Sequence, residues 1–350
     1  MTDHRPRRRH SGRPTVDDVA RLAGCSPMTV SRVVNGAAGV REGTREAVAA
    51  AIRELGYAPN RAAQALAGAR PLRMVLLYAN PSAAYLSELL IGCMDAATRQ
   101  GVHLLVERCD TGRDQGRMIA NFGEMAIDGL LLPPPLCDDT ALLARLRRAD
   151  LRAVLIGPGR AEAHHPVVMI DDYQAAHDMT RHLVALGHRR IGFVIGHPQQ
   201  TASALRLAGF RDALDEAGIV IDPDFVRQGE FTYRSGLEAG MALLALAQRP
   251  TAIFAANDDM AAGCVAAAHR NRLDVPQDLT VCGFDDTAQA STIWPELTTI
   301  RQPIRTMAER ALELLVQELK TDPGLPGPSR LLTLDYELIR RESDAPPASA

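Results

Sequence analysis

Residues 15–36 read TVDDVARLAGCSPMTVSRVVNG, and this stretch decides the fold of the first part of the chain. Thr15-Val16-Asp17-Asp18 has the form of a capping box, in which the Thr15 hydroxyl accepts an orphan N–H while Asp18 reaches back. Val16, Val19, Ala20 and Leu22 or Ala23 then supply an apolar helix face, and Gly24 stops the helix. A second helix starts at once, with Ser26 as N-cap and Pro27 at the first helical position, where its missing N–H costs nothing, and continues from Met28 to Val34. Asn35-Gly36 ends it. A third runs from Thr44 through Val48, Ile52 and Leu55, at the spacing of a buried stripe, and Gly56 closes it. Two short helices across a tight Gly-containing turn, covered by a third, form a helix-turn-helix, whose second helix reads DNA. A small helical dimerisation domain would show the same periodicity.

Charge favours the DNA reading. The formal net charge of the 350 residues is −3, but residues 1–70 hold twelve Arg against six Asp or Glu, and the remainder 27 basic against 36 acidic residues. One end is built for a polyanion. The Arg5 to Arg9 cluster, in a basic tail over 1–13, would by itself read as a solvated tail. In the reader helix, the short hydroxyls of Ser26, Thr29 and Ser31 suit phosphate oxygens, and Arg32 can fork onto a guanine edge or hold a phosphate.

Working outward, length predicts two domains and room for a smaller third. An apolar fraction of 46% with 23% charged residues excludes fibrous and wholly disordered chains. No apolar run approaches a membrane span, and MTDHRPRRRHSGRP has no apolar core behind its basic residues, so a cytoplasmic, nucleoid-associated protein is expected. The six cysteines have no CxxC pair or regular spacing and read as free thiols, without a metal site. No cofactor is expected.

From Leu72 on, short apolar runs (74–78, 102–106, 129–132, 153–156, 191–195, 252–255 and 279–284) alternate with helical patterns such as 86–98. This predicts doubly wound parallel sheets in two lobes, with a ligand cleft beyond the carboxyl ends of the strands. Asn257 and Asp258 follow one strand, Asp285 and Asp286 another, and Arg206 opens RLAGF in a helix after Gly196. Each also has a plainer reading: helix caps or turn formers for Asp258 and Asp286, and a surface ion pair for Arg206.

The strings TVDDVARLAG (15–24), CSPMTVSRVVNG (25–36), TREAVAAAIRELGYAPN (44–60) and RAAQALAG (61–68) resemble, in order and without a gap, the DNA-binding headpiece and hinge of the LacI-type (lactose-repressor and galactose-repressor) family. HLVALGHRRIGFVIG (182–196), RLAGFRDAL (206–214), AANDDMAAGCVAA (255–267), VCGFDDT (281–287) and PELTTIRQP (295–303) are similar to its effector core, which is related to periplasmic sugar-binding proteins. The resemblance implies a helix-turn-helix domain over 14–58 and a hinge over 59–71. It further implies an effector and dimerisation domain over 72–340, with lobe 1 at about 72–186 plus 302–331 and lobe 2 at about 187–301 plus 332–340. The polar, Pro-containing composition of 341–350 predicts a disordered tail.

Carried over residue by residue, Pro27, Met28 and Arg32 would read bases, with Ser26, Thr29, Ser31 and Asn35 near phosphates and Thr15 in the same DNA-facing set. Pro27 and Met28 depart from members with polar residues there and offer apolar contact, for example to a thymine methyl. Asn60, Ala63 and Leu66 would lie in a hinge helix formed on DNA, with Leu66 wedged between base pairs from the minor groove. In the cleft, Arg206, Asn257 and Asp285 would bind ligand hydroxyls, Phe231 would lie against the ligand's flat face, Gln302 would sit at a lobe crossover, and Tyr85 would complete the site from lobe 1. This donor and acceptor set suits a sugar; the two aromatic rings also suit a nucleobase.

The expected protein is a homodimeric transcriptional repressor on a pseudo-palindromic operator, not an enzyme. It has no GxSxG, HExxH or Walker motif, and Gly157-Pro158-Gly159 lacks the third glycine of a dinucleotide fingerprint. A plain solute-binding protein would account for the second module alone. The end of the chain, ESDAPPASA, has no leucine heptads to support a tetramer.

Overall fold

The computed structural model describes residues 15–34, 40–55, 70–109, 115–162, 164–320 and 330–348. Contacts divide the chain into two compact units, Met1–Pro71 and Leu72–Ala350. The first contains α1 (Val16–Leu22), α2 (Pro27–Val34) and α3 (Glu42–Leu55). The capping box forms in full: the Asp18 N–H donates to the Thr15 hydroxyl, while Asp18 accepts from the Thr15 N–H at 2.9 Å. Gly24 turns the chain at φ +65°, a conformation costly for any residue with a Cβ. Val19, Ala20, Val30, Val48 and Ala51 form the small core, with Val16, Ala23 and Ile52 packed around it. Leu22 is exposed, so Ala23 takes the inward place that the pattern left open between them.

The second unit holds two six-stranded sheets. Its elements run β1 (Arg73–Tyr78), α4 (Ala83–Gln100), β2 (His103–Arg108), α5 (Gln115–Glu124), β3 (Gly129–Leu132), α6 (Thr140–Arg148), β4 (Arg152–Ile156), β5 (Val167–Met169) and α7 (Asp172–Ala185). Then come β6 (Ile191–Ile195), α8 (Thr201–Glu216), β7 (Val226–Gln228), α9 (Tyr233–Leu244), β8 (Ala252–Ala255), α10 (Asp258–Arg270), β9 (Thr280–Asp285), α11 (Ala288–Thr292), β10 (Thr298–Arg301), α12 (Ile304–Lys320), β11 (Leu331–Thr333) and β12 (Glu337–Ile339). Lobe 1 has the order β11-β5-β4-β3-β1-β2, all parallel; lobe 2 has β12-β10-β9-β8-β6-β7, parallel except for β12. Helices cover both faces of each sheet, which is why β3 and β8 are buried at every position, while edge strand β2 is fully buried at none. The strand order reverses between β1 and β3 in lobe 1 and between β6 and β8 in lobe 2. The crevices beyond those points face the same cleft.

Two expected boundaries are corrected. Lobe 1 was expected to run to about residue 186, but α7 packs on α8, β10 and β12 of lobe 2, so the chain crosses between Met169 and Asp172. Gly209 on α8 permits this packing, since a Cβ there would collide with the α7 backbone at Tyr173. The tail over 341–350 was expected to be disordered, yet its described part docks on lobe 2. The Ser343 hydroxyl accepts from the Thr298 N–H at 2.9 Å and donates to the Val281 carbonyl at 2.6 Å, and Asp344 meets His182 at 2.7 Å. Two buried polar residues matched to buried partners hold a segment whose composition alone looks unstructured.

Candidate functional site

On α2, Val30 faces the small core and Val33 packs beside it, so the helix period turns Pro27, Met28, Ser31 and Arg32 outward. Met28 is 73% exposed, a large apolar side chain presented to solvent on a short helix. Ser26 caps the helix by accepting from the Thr29 N–H at 3.1 Å, and its hydroxyl also meets that of Thr29 at 2.8 Å. Thr15 is engaged in its capping box. Arg32 has no ion-pair partner among the described residues. Asn35, Asn60, Ala63 and Leu66, the basic tail and all but the last two residues of the expected hinge lie outside the described residues.

All six residues expected in the cleft line one cavity, of about 30 Å³: Tyr85, Arg206, Phe231, Asn257, Asp285 and Gln302. Most are delivered by loops or helix starts beyond a strand's carboxyl end. Tyr85 lies in the first turn of α4 after the Ser82 cap, Asn257 caps α10, Asp285 ends β9, and Gln302 begins the crossover after β10. Phe231 holds φ +57°, with its carbonyl taken by the Asn257 amide at 3.2 Å. Its ring lies over Gly196, where any Cβ would fall into the ring.

Arg206 is the hub. Its Nε donates to Asp172 at 2.8 Å and its Nη1 to the Ala256 carbonyl at 2.5 Å; Asp285 stands 4.0 Å away, and the guanidinium lies 3.6 Å over the Phe284 ring. It is buried, not the surface ion pair that its sequence also allowed. Asp285 accepts from Gln302 Nε2 at 2.5 Å and has φ +110°. Burial pushes the Asp285 carboxyl up to about 7, with Arg206 and Gln302 acting against it. Burial likewise raises Asp172 despite Arg206. Asp258 is pushed well above the carboxylate range by burial and then by Asp285, while Thr299 and Thr287 donate to it. The Asp258 carboxylate braces the floor of lobe 2, and the α10 cap is Asn257, whose Oδ1 accepts from the Met260 N–H at 3.0 Å. Much of the Asn257 amide is therefore spent on positioning Phe231 and α10.

The sequence reading missed Asp172 as the partner of Arg206, as well as Asn80, Ser82, Pro134, Gln200 and Ala202 in the lining. The signal for Asp172 was present: an acidic pair, Asp171-Asp172, directly after the apolar run that becomes β5. Direct contacts tie the lobes at the rim. Asp138, after β3, accepts from the Thr201 N–H and hydroxyl, and the Gly159 N–H donates to the same hydroxyl at 2.6 Å. Burial raises Asp138, while the Thr201 hydrogen bonds lower it. Asp259 of α10 is likewise raised by burial and stabilised in its charged form by the Ser82 hydroxyl of lobe 1.

Residues 15–60 match the family described as bacterial regulatory proteins, lacI family, and 180–343 match a periplasmic binding protein-like domain. The chain is 34% identical over 315 residues to the HTH-type transcriptional repressor PurR of Vibrio campbellii, covering 87% of this chain and 92% of that protein. The chain belongs to the LacI family. It is also 32% identical over 310 residues to catabolite control protein A of Priestia megaterium, covering 88% of this chain and 93% of that protein. Among solved structures, this LacI-family chain is similar to the transcriptional regulator CelR in complex with cellobiose, with a TM-score of 0.72, 32% identity and coverage of 95% and 100% of the two chains. It is also similar to the lac repressor dimer bound to operator and the anti-inducer ONPF, with a TM-score of 0.70, 30% identity and coverage of 95% and 99%. It is a DNA-binding transcriptional regulator and not an enzyme. Among the described residues no helix is long and apolar enough to cross a membrane.

Proposed function

We propose that this LacI-family regulator is a homodimeric repressor whose operator affinity is set by a small polyhydroxylated effector, a sugar, bound in the interlobe cleft. The observation that carries the reading is the composition of one cavity: an aromatic ring from each lobe, Tyr85 and Phe231, around Arg206, Asp285, Asn257 and Gln302. Sugar rings present apolar faces and hydroxyls that both donate and accept, and this set answers both. The CelR structure, which carries cellobiose, supports it by similarity. A cavity of about 30 Å³ holds roughly one water, so a sugar enters by parting the lobes at the Asp138–Thr201 joint.

For DNA, the outward face of α2 carries Pro27, Met28, Ser31 and Arg32 toward bases and phosphates, with Ser26, Thr29, Thr15 and Asn35 at phosphates and Asn60, Ala63 and Leu66 in the hinge. A dimer presents two such helices to a two-fold operator. Exposed Ile91 and Met94 on α4, Val106 on β2, and Tyr233 and Met241 on α9 are apolar surfaces that a second copy would cover. Repression of carbohydrate-utilisation genes is the corresponding cellular role.

The experiment is a thermal-shift screen of sugars, followed by gel shifts on the operator. A cleft ligand at 100 times its Kd adds about 2.7 kcal/mol to stability. The two aromatic rings also favour a nucleobase, so nucleobases form the second arm. Stabilisation by nucleobases and by no sugar would replace the sugar reading, and failure to bind any DNA fragment selected from the genome would remove the regulator model.

A further inference from the structure

Lobe 1 contains a larger hollow, of about 370 Å³, away from the cleft. The cleft uses the carboxyl ends of the strands; this hollow lies at the amino ends. Arg152 opens β4, Pro166 leads into β5 and Arg330 into β11, while Arg147 comes from the last turn of α6 and Glu318 from the end of α12. Three guanidinium groups from three separate elements therefore converge on one concave surface, with His164 and His165 beside them and Asp150 and Glu318 as the acids.

The acids leave the charge of Arg147 and much of that of Arg152 available. Arg152 meets Glu318 only at 3.5 Å, with its side chain half exposed, and Arg147 has no ion-pair partner among the described residues. A second observation points inward. His165 is 4% exposed and interacts with the Ala153 backbone, yet its Nε2 is buried with no well-formed hydrogen bond among the described residues. Buried polar atoms in native proteins find partners, so an orphan in the wall of a polar hollow marks a place where a ligand atom belongs. Planar guanidinium forks bind the oxygens of phosphate in a bidentate manner, and a neutral imidazole in the Nε2–H tautomer adds a single donor. The volume exceeds what a bare ion needs and falls in the range of sites for small organic molecules, roughly 300 Å³ upward.

We propose that this hollow is a second small-molecule site, which takes a phosphorylated metabolite of about hexose-phosphate size through Arg147, Arg152, Arg330 and His165. It gives the regulator a chemical input separate from the cleft. The reading does not depend on what the cleft binds.

The test is isothermal titration of the full chain with glucose 6-phosphate, inorganic phosphate and glucose at constant ionic strength, in the wild type and in an Arg147→Gln/Arg152→Gln variant. Glucose 6-phosphate is expected to bind saturably, to resist displacement by excess glucose, and to lose at least tenfold in affinity in the variant. Inorganic phosphate binding equally well supports a site that reads the phosphate alone, whereas weaker phosphate binding supports one that also holds the organic body. Absence of saturable binding by either phosphate, displacement by glucose, or equal affinity in wild type and variant overturns the proposal. Thermal melting checks the variant's fold. Arg330→Gln provides a second reading with the same expected loss, and unchanged binding there removes Arg330 and the proposed convergence.

Discussion

Thr201, the first residue of α8, gives both its backbone N–H, at 3.0 Å, and its hydroxyl, at 2.7 Å, to the Asp138 carboxylate of the opposite lobe. One carboxylate thus serves as cap for a lobe 2 helix and as a tie between lobes, and it does so at the positive end of the helix dipole. In this structure the N-terminus of α8 is completed by a carboxylate of the other lobe.

Asp138→Ala should therefore loosen the closed state by about 1–3 kcal/mol, because the α8 N-terminus loses a charged acceptor. Hydrogen exchange at the Thr201 and Ala202 amides should speed up while the core amides of β8 stay protected. Unchanged exchange at these two amides would show that the joint does not hold the lobes.

Asp285 predicts a pH dependence. Its carboxyl titrates at about 7 in the fold, against about 3.9 in an unfolded chain, so between these values the folded protein binds the extra proton. The stability contributed by this group is complete below the lower value and is lost as pH rises through about 7. Asp285→Asn should flatten this part of the stability curve in denaturant melts between pH 5 and 8. A polyol that donates hydroxyls to the ionised carboxylate should bind more tightly as pH rises across the same window and release protons, which calorimetry in buffers of different ionisation enthalpy would detect; proton uptake would contradict the assignment.

Arg206→Ala leaves Asp172 and Asp285 buried without their shared cation. A loss of roughly 3–5 kcal/mol at pH 8 is expected, with a smaller loss at pH 5, where the carboxyls are more readily protonated. A loss independent of pH would mean that packing over Phe284, and not charge, is what Arg206 supplies.

Little of this network could be read one residue at a time. Asn257 and Asp285 were reached because they sit just past apolar runs, Arg206 because it opens a helix after another such run, and strand ends are where this architecture gathers ligands; Tyr85, Phe231 and Gln302 came only with the resemblance to the LacI family. Asp172 was passed over because its partner lies 34 positions away, and no local period links an acid in one helix to an arginine in the next. The lobe assignment of α7 failed for a related reason: neighbours in sequence are usually neighbours in space, but a chain crossing between lobes breaks that rule at one loop. The tail misled by its composition, since Ser343 and Asp344 are polar residues whose burial depends on Thr298 and Val281, far back in the chain.

In the headpiece, Arg32→Ala should weaken specific operator binding by about 1–3 kcal/mol and relax preference at one base pair, with little change in salt dependence. Competition binding across single-base operator variants measures this. A uniform loss over all sequences, with a salt slope shallower by about one, would make Arg32 a phosphate anchor.

Thr15→Ala removes a capping box that closes in both directions, and a loss of about 1 kcal/mol from the headpiece is expected. Thermal unfolding followed in the first unit should move, while effector-domain melting stays in place.

The crossings between lobes also govern the order in which the protein can be made. Lobe 1 is unfinished until α12 and β11 arrive, because Leu315 fills the space against Gly129 of β3 and β11 pairs with β5. Lobe 2 waits longer still, for β12 and for Ser343 beneath Thr298. A ribosome that has translated most of the chain therefore holds two sheets, each missing an edge, with the open sides of β5 and β10 left unpaired until the last stretch of synthesis.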